Sequence, residues 1–327
     1  MVSIKAAAAA ALLSCCALVQ QTAAQTSYPN RVVTIVSPTA PGGSYSIYAQ
    51  LIALGLEKRL GKPVIVENKT GAGTVIGTNL VAKAEPDGHT MLLGASPGLA
   101  INVTTNKSLP YDVLKDFIPV SLFAMSPQVL MVNAALPIHS VADIARIAKE
   151  KPGSLTFASN GPGTVMHLSG EMMKRQLGID IMHVPYKGAA PALNDVMGGH
   201  VSMVFTSLAS AGAMVNSDKT RIIGLTTTDR IETLPSVRPL AEIGMPGFDS
   251  SLWYMVVVPA KTPKEIVDKL HHEIGVVTSE PEVRKKIVEL GAIAIKSPPL
   301  AELQTFLKSE IERWGKVVQA AGLAGTM

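Results

Sequence analysis

From residue 32 onward, short runs rich in β-branched and other apolar residues alternate with stretches whose apolar residues recur at every third or fourth position. Val32–Val36 predicts a strand, the stretch through Ala49–Leu60 a helix, and Val64–Val66 a second strand, which is a βαβ order. A helix over Ile76–Ala84 and a strand over Thr90–Gly94 continue the pattern. Further strands are predicted at Leu155–Ala158, Ile181–Val184 and Val201–Phe205. Such runs imply strands covered on both faces, so the fold class is α/β with parallel sheets flanked by helices.

Two extended apolar segments, Val129–Val132 and Trp253–Val258, are each followed by a proline and then a helix-start signal. They are read as the two hinge crossings between lobes. Ser140 opens a helix over Val141–Ala148, and Thr262 with Pro263 opens another over Ile266–Leu270, each with a residue suited to the N-cap. The second lobe, residues 127–250, is then an insertion into a first lobe made of residues 28–126 and 251–327. Leu300, Leu303, Leu307, Ile311 and Trp314 share one helix face, which predicts a C-terminal helix packed back on the first lobe.

Residues 1–24 change the picture at the N-terminus. Met1–Lys5 carries one positive charge, Ala6–Val19 is almost wholly apolar, and Thr22, Ala23 and Ala24 are small, the layout of a secretory signal peptide. Its apolar core of about 14 residues is shorter than the roughly 20 that span a bilayer as a helix, and no later run approaches that length. Cleavage after Ala24 removes Cys15 and Cys16, the only cysteines, which excludes disulfides, a thiol nucleophile and thiolate metal ligands from the mature chain. A rival reading makes Leu12–Cys15 a lipoprotein signal with a lipid-modified Cys15, but Leu13 is bulky for its place before the small residue. The roughly 300 remaining residues exceed what one core organises, so two domains are expected. With 47% hydrophobic and 17% charged residues the chain is globular, and a net charge of +4 gives no basis for a nucleic-acid partner. Arg284, Lys285 and Lys286 fall in a helical pattern and read as a solvated face.

Candidate chemistry lies in two loops. Pro41, Gly42, Gly43, Ser44, Tyr45 and Ser46 stand between a strand and a helix, and Ser159, Asn160, Gly161, Pro162, Gly163 and Thr164 repeat the design before a helix over Val165–Met173. Glycines let the backbone approach a ligand closely, and a helix start offers unpaired N–H groups with partial positive charge, which suits an anion. Either loop alone is also an ordinary strand-to-helix turn. The pair, one in each lobe, points to an anion clamp.

More specific are Ala40-Pro-Gly-Gly43, Val66-Glu-Asn68 followed by Gly71-Ala-Gly73, Pro86-Asp-Gly88, Lys115-Asp-Phe117, His167-Leu168 with Glu171, His183-Val-Pro-Tyr-Lys-Gly188 followed by Pro191-Ala-Leu193, and Leu234-Pro235. On these segments, from about Tyr28 to Trp314, the chain resembles the Bug family, the extracytoplasmic tricarboxylate-type solute receptors of proteobacteria. The resemblance implies a two-lobed periplasmic-binding-protein fold of type II with two hinge crossings and a cleft that closes on one ligand. It also implies a carboxylate held largely by backbone amides and bridging waters from the two helix-start loops. The expected partners are the membrane subunits of a tripartite tricarboxylate transporter, or alternatively a sensor kinase to which the receptor reports. The protein is expected to be a periplasmic monomer without cofactor, metal or enzymatic activity.

Family members usually carry an acidic residue three positions after the Gly-Gly pair, where this chain has Ser46, and often another where it has Thr206. An acid there suits a ligand amine and repels a second carboxylate, so its absence predicts a mono- or dicarboxylate, aliphatic or aromatic, without an ammonium group. The expected ligand-binding residues are Gly43, Ser44, Tyr45, Ser46, Ser96, Asn160, Gly163, Thr164, His167 and Thr206.

Three other motifs compete. Gly94-Ala-Ser-Pro-Gly98 matches the hydrolase G-x-S-x-G elbow, but that mechanism takes an oxyanion donor from the N–H after the serine, and Pro97 has none. Ser96 is instead expected either to offer its hydroxyl to the ligand or to sit in a plain turn. Gly71-Ala-Gly73 with Gly77 looks faintly like a dinucleotide loop, yet Glu85 and Asp87 are too near to be its ribose acid. His167 and Glu171 share a helix face, but His89, His139, His183, His200, His271 and His272 show no zincin spacing, which favours structural hydrogen bonds over a metal.

Overall fold

The computed structural model of the chain describes residues 28–327. The signal-peptide and lipoprotein readings, with Cys15 and Cys16, lie outside the described residues. The first lobe opens with β1 (Val33–Ser37), α1 (Ser44–Leu60), β2 (Val64–Asn68), α2 (Val75–Ala82) and β3 (Thr90–Ala95). β4 (Phe117–Ser126) then leads through Pro127 into β5 (Gln128–Asn133). The second lobe continues with α3 (Val141–Glu150), β6 (Thr156–Ser159), α4 (Val165–Leu177), β7 (Met182–Pro185), α5 (Ala189–Met197), β8 (Met203–Ser207) and β9 (Thr220–Leu225). The chain returns with β10 (Leu252–Pro259), α6 (Lys264–Ser279), α7 (Pro281–Glu289), β11 (Ile293–Ala294) and α8 (Leu300–Ala320). One sheet has six strands in the order β11-β4-β10-β3-β1-β2, the other five in the order β7-β6-β8-β5-β9.

Both sheets are mixed, where the sequence predicts parallel ones. β1 runs parallel to β2 and β3, and β6 parallel to β7 and β8, but β10 is antiparallel to β3 and β4, and β5 is antiparallel to β8 and β9. The short β11 is also antiparallel to β4; β5 and β10 are the reversed strands that arrive from the other lobe. They enter their sheets from the gap that β1 to β4 and β6 to β9 run toward, so their direction is opposite. Val129–Val132 and Trp253–Val258 are therefore not the crossings; they lie inside β5 and β10, each flanked by two neighbours and buried. Burial on both faces explains why they are apolar at nearly every position. The chain passes between the sheets at Pro127 and in the segment just before Leu252.

Ser140 caps α3 by accepting the Asp143 N–H at 3.2 Å. Thr262 does not cap α6; its hydroxyl donates to the Pro259 carbonyl at 2.7 Å, and Pro263 holds the N-cap position. α8 buries Leu303, Leu307, Trp314 and Val318 against Trp253, Met255 and Val257 of β10, as its periodicity predicts, and Val165 and Leu168 of α4 join the same cluster.

Glu310 of α8 organises the return crossing. Its carboxylate, nearly buried, accepts the indole N–H of Trp253 at 2.6 Å and of Trp314 at 3.1 Å and a two-pronged pair from Arg313 at 2.7 and 2.8 Å. Arg313 in turn donates to the Asp249 carbonyl at 2.7 Å. Glu310→Ala strands a largely buried guanidinium and two indole donors, and is expected to cost about 3 kcal/mol in urea-unfolding stability. Glu310→Gln, which keeps shape and an acceptor, is expected to cost less.

Candidate functional site

The carboxyl ends of β1, β3 and β4 and those of β6, β8 and β9 face the gap from which β10 and β5 enter, the position where open α/β sheets bind ligands. A cavity of about 360 Å³ lies there, lined from both lobes. Two larger hollows, of about 550 and 540 Å³, are lined by first-lobe residues only.

The first-lobe wall is built on the start of α1. Gly42 has φ +83, a left-handed turn that glycine tolerates, and Gly43 takes the extended N-cap conformation. The helix has no side-chain cap and no acid in its first turn, and its first intrahelical bond in this turn is Ile47 N–H to the Gly43 carbonyl. The N–H groups of Ser44, Tyr45 and Ser46 thus have no helical acceptor. Ser44 and Tyr45 line the cavity. The Ser44 hydroxyl lies 2.7 Å from that of Tyr254, on whose ring Tyr45 and Tyr48 pack edge-on at 5.2 and 4.8 Å. Burial pushes the Tyr254 phenol up to about 12 and that of Tyr45 well above its ordinary value, so both remain protonated donors at neutral pH.

The second-lobe wall is the start of α4. Thr164 caps it by accepting the His167 N–H at 3.3 Å, and its own hydroxyl donates to the Gly161 carbonyl at 2.7 Å. Again the first turn holds no acid, and Val165 and Met166, whose N–H groups precede the first helical bond, line the cavity. Asn160 also lines it, with a buried Oδ1 that has no hydrogen-bond partner among the described residues. No lining side chain carries a charge.

Of the residues expected from sequence, the structure brings Ser44, Tyr45, Asn160, Gly163 and Thr164 together on the cavity wall. The others stand off it. Gly43 is the N-cap; Ser46 is fully buried and donates to Asn68 Oδ1 at 3.5 Å; Ser96 and Thr206 are buried at the ends of β3 and β8, their hydroxyls without a partner among the described residues; His167 lies behind the loop. Gly163 lines the wall, but its N–H is already used by His167 Nδ1 at 3.1 Å, whereas the Val165 and Met166 amides in the first turn of α4 have no helical acceptor. Sequence reasoning missed Tyr48, Asn102, Ser126, Ser207, Tyr254 and Met327. Ser126 and Ser207, like Ser96, stand at carboxyl ends of strands that face the gap, a signal that strand direction reveals. Met327 carried none: its N–H donates to the Thr105 carbonyl at 3.0 Å, and its side chain fills the space where a Cβ on Gly163 would fall.

The family model described as "Tripartite tricarboxylate transporter family receptor" matches residues 48–323. The chain belongs to this receptor family. Among its relatives, protein BugT of Bordetella pertussis is 34% identical over 90% of this chain and 91% of its own, in keeping with the Bug resemblance. Two solved structures are similar. Rpa4515 of R. palustris, determined with adipate, is 33% identical with a TM-score of 0.78 over 91% of this chain and 99% of its own. MatC from Rhodopseudomonas palustris, with bound malate, is 31% identical with a TM-score of 0.74 over 89% and 100%. The two-lobed α/β receptor thus has the fold of the periplasmic binding proteins of this family.

The cap gives a direct check on the second-lobe loop. Thr164→Ala removes both hydroxyl bonds and is expected to lower stability by about 1–2 kcal/mol in chemical denaturation, whereas Thr164→Ser should restore most of the loss.

Proposed function

We infer that this receptor captures a small carboxylate that carries no ammonium group, in the periplasm, and hands it to the membrane subunits of a tripartite tricarboxylate transporter. The reading is carried by one observation: the first turns of α1 and α4, from opposite lobes, both open without an acid onto one cavity lined by no charged side chain. Partial positive charge at two helix ends suits carboxylate oxygens, and the α1 turn adds the Ser44 and Tyr254 hydroxyls. An ammonium group would enter a cavity with no side-chain carboxylate to pair it, and an unpaired buried charge is costly. Adipate in Rpa4515 and malate in MatC are carboxylates without an amine, which supports the class. Ligand contact from both lobes stabilises the closed arrangement, since a ligand shifts an equilibrium only through differential contacts. The membership in a transporter receptor family supports transport as the purpose.

Calorimetric titration with matched pairs, succinate against aspartate and glutarate against glutamate, tests the ligand class. The amine-free member of a binding pair is expected to bind about tenfold or more tightly. Tighter binding of the amino acids would overturn the reading. A second check separates binding from folding. Ser44→Asp places a carboxylate in the first turn of α1, where the helix dipole favours it by up to about 1 kcal/mol. The variant should unfold no more easily than the wild type, yet lose carboxylate binding.

A further inference from the structure

Behind the second-lobe wall, His167 of α4 and His183 of β7 stack at 3.8 Å between ring centroids with 13° between planes, and the Phe157 ring continues the stack 4.9 Å from His183. Each imidazole holds one end of the loop. His183 Nε2 lies 2.7 Å from the Ser159 hydroxyl, which contacts both the N–H and the carbonyl of Gly161, at 3.2 and 3.1 Å. His167 Nδ1 accepts the Gly163 N–H at 3.1 Å. Neither ring lines the cavity. We propose that the two histidines form a neutral stacked brace that positions the Asn160–Thr164 loop, and that acid releases the loop by taking the Nδ1 acceptor away from Gly163.

The geometry dictates the protonation state. A backbone N–H can only donate, so Nδ1 of His167 is bare and its proton sits on Nε2, the side facing Glu171 Oε1 at 3.9 Å. A charged imidazolium has no acceptor left for Gly163, and two charged rings at 3.8 Å repel. Burial, followed by the neighbouring His183 and then Lys174, holds His167 down at about 4, and burial, followed by Lys174, does the same for His183. Among the described residues, the ionisable groups acting on the pair are Glu171 and Lys174, themselves paired at 3.2 Å, and, on His167, the neighbouring His183. Since both values lie below the ordinary 6.5, the released form takes up protons first. The brace is at full strength above about pH 6.5 and is lost progressively as pH falls toward about 4.

The purpose of holding the loop rests on the carboxylate reading above; the brace itself does not, so its test contains no ligand. Amide hydrogen exchange is followed at residues 160–166, with α3 as internal control, in the wild type, His167→Phe and His167→Asn. The phenyl ring keeps the stack without the acceptor, and the Asn Oδ1 stands near the place of Nδ1. At pH 7 the protection of Gly163 is expected to fall about tenfold in His167→Phe and to stay within about threefold in His167→Asn, with α3 unchanged. In the wild type, loop protection relative to α3 should decline between pH 6.5 and 4. Nitrogen-15 spectra at pH 7 should show His167 as the Nε2–H tautomer. An Nδ1–H tautomer, a His167→Phe loop protected like the wild type, or loop protection flat down to pH 4 would each overturn the proposal. Should His167→Phe fail to fold, the wild-type pH series and the tautomer decide it. Absence of binding across the carboxylate panel, with the loop behaving as expected, would instead remove only the ligand reading.

Discussion

An α-helix leaves the N–H groups of its first turn without carbonyl partners inside the helix, and those of α1 and α4 open onto the same 360 Å³ of space. Nearly everything else in the architecture serves that juxtaposition. Each helix follows a strand whose carboxyl end faces the gap, β1 before α1 and β6 before α4. β5 and β10 enter from the gap, and their antiparallel direction joins the lobes while β1 to β4 and β6 to β9 keep their carboxyl ends toward it.

The choice of neutral groups around those two turns has an energetic reason. A buried arginine or lysine would need desolvating before any ligand arrived, at several kcal/mol by the general cost of burying an ion. Helix-end amides and the Ser44 and Tyr254 hydroxyls carry only partial charges, so they cost less to bury than an ion, and the ligand brings the full charge. Where a full charge is buried, as at Glu310, it pairs with the half-buried Arg313, and the two brace the return crossing away from the cavity wall. The Thr164 cap and the stacked histidines hold the α4 entrance from behind in the same way, without entering the cavity.

Much of this is legible in the sequence because the signals are local. The βα order, Ser140 as a cap, the α8 face and the two glycine loops each depend on a few adjacent residues. What escapes reading depends on contacts across the chain. Apolar continuity in Val129–Val132 and Trp253–Val258 shows burial but not strand direction, so strands were expected to be crossings and the sheets parallel. Tyr254 reads as part of an apolar run until β10 is seen beside the end of β3, where its hydroxyl meets Ser44, 210 residues earlier. Ser46 follows two cavity residues in sequence, yet the helical turn points it toward Asn68 and out of reach. Gly163 shows the opposite limit: its position is right, and only the distance to His167 reveals that its N–H is already engaged.

The most direct test of two helix ends converging on one carboxylate ligand is a titration of the nitrogen-15-labelled receptor with adipate or succinate, following backbone amide resonances. Ser44 and Tyr45 of one lobe and Val165 and Met166 of the other should shift together with a single dissociation constant, while Gly163 moves less. Saturable shifts confined to one lobe, or centred on the first-lobe hollows away from both helix starts, would contradict it.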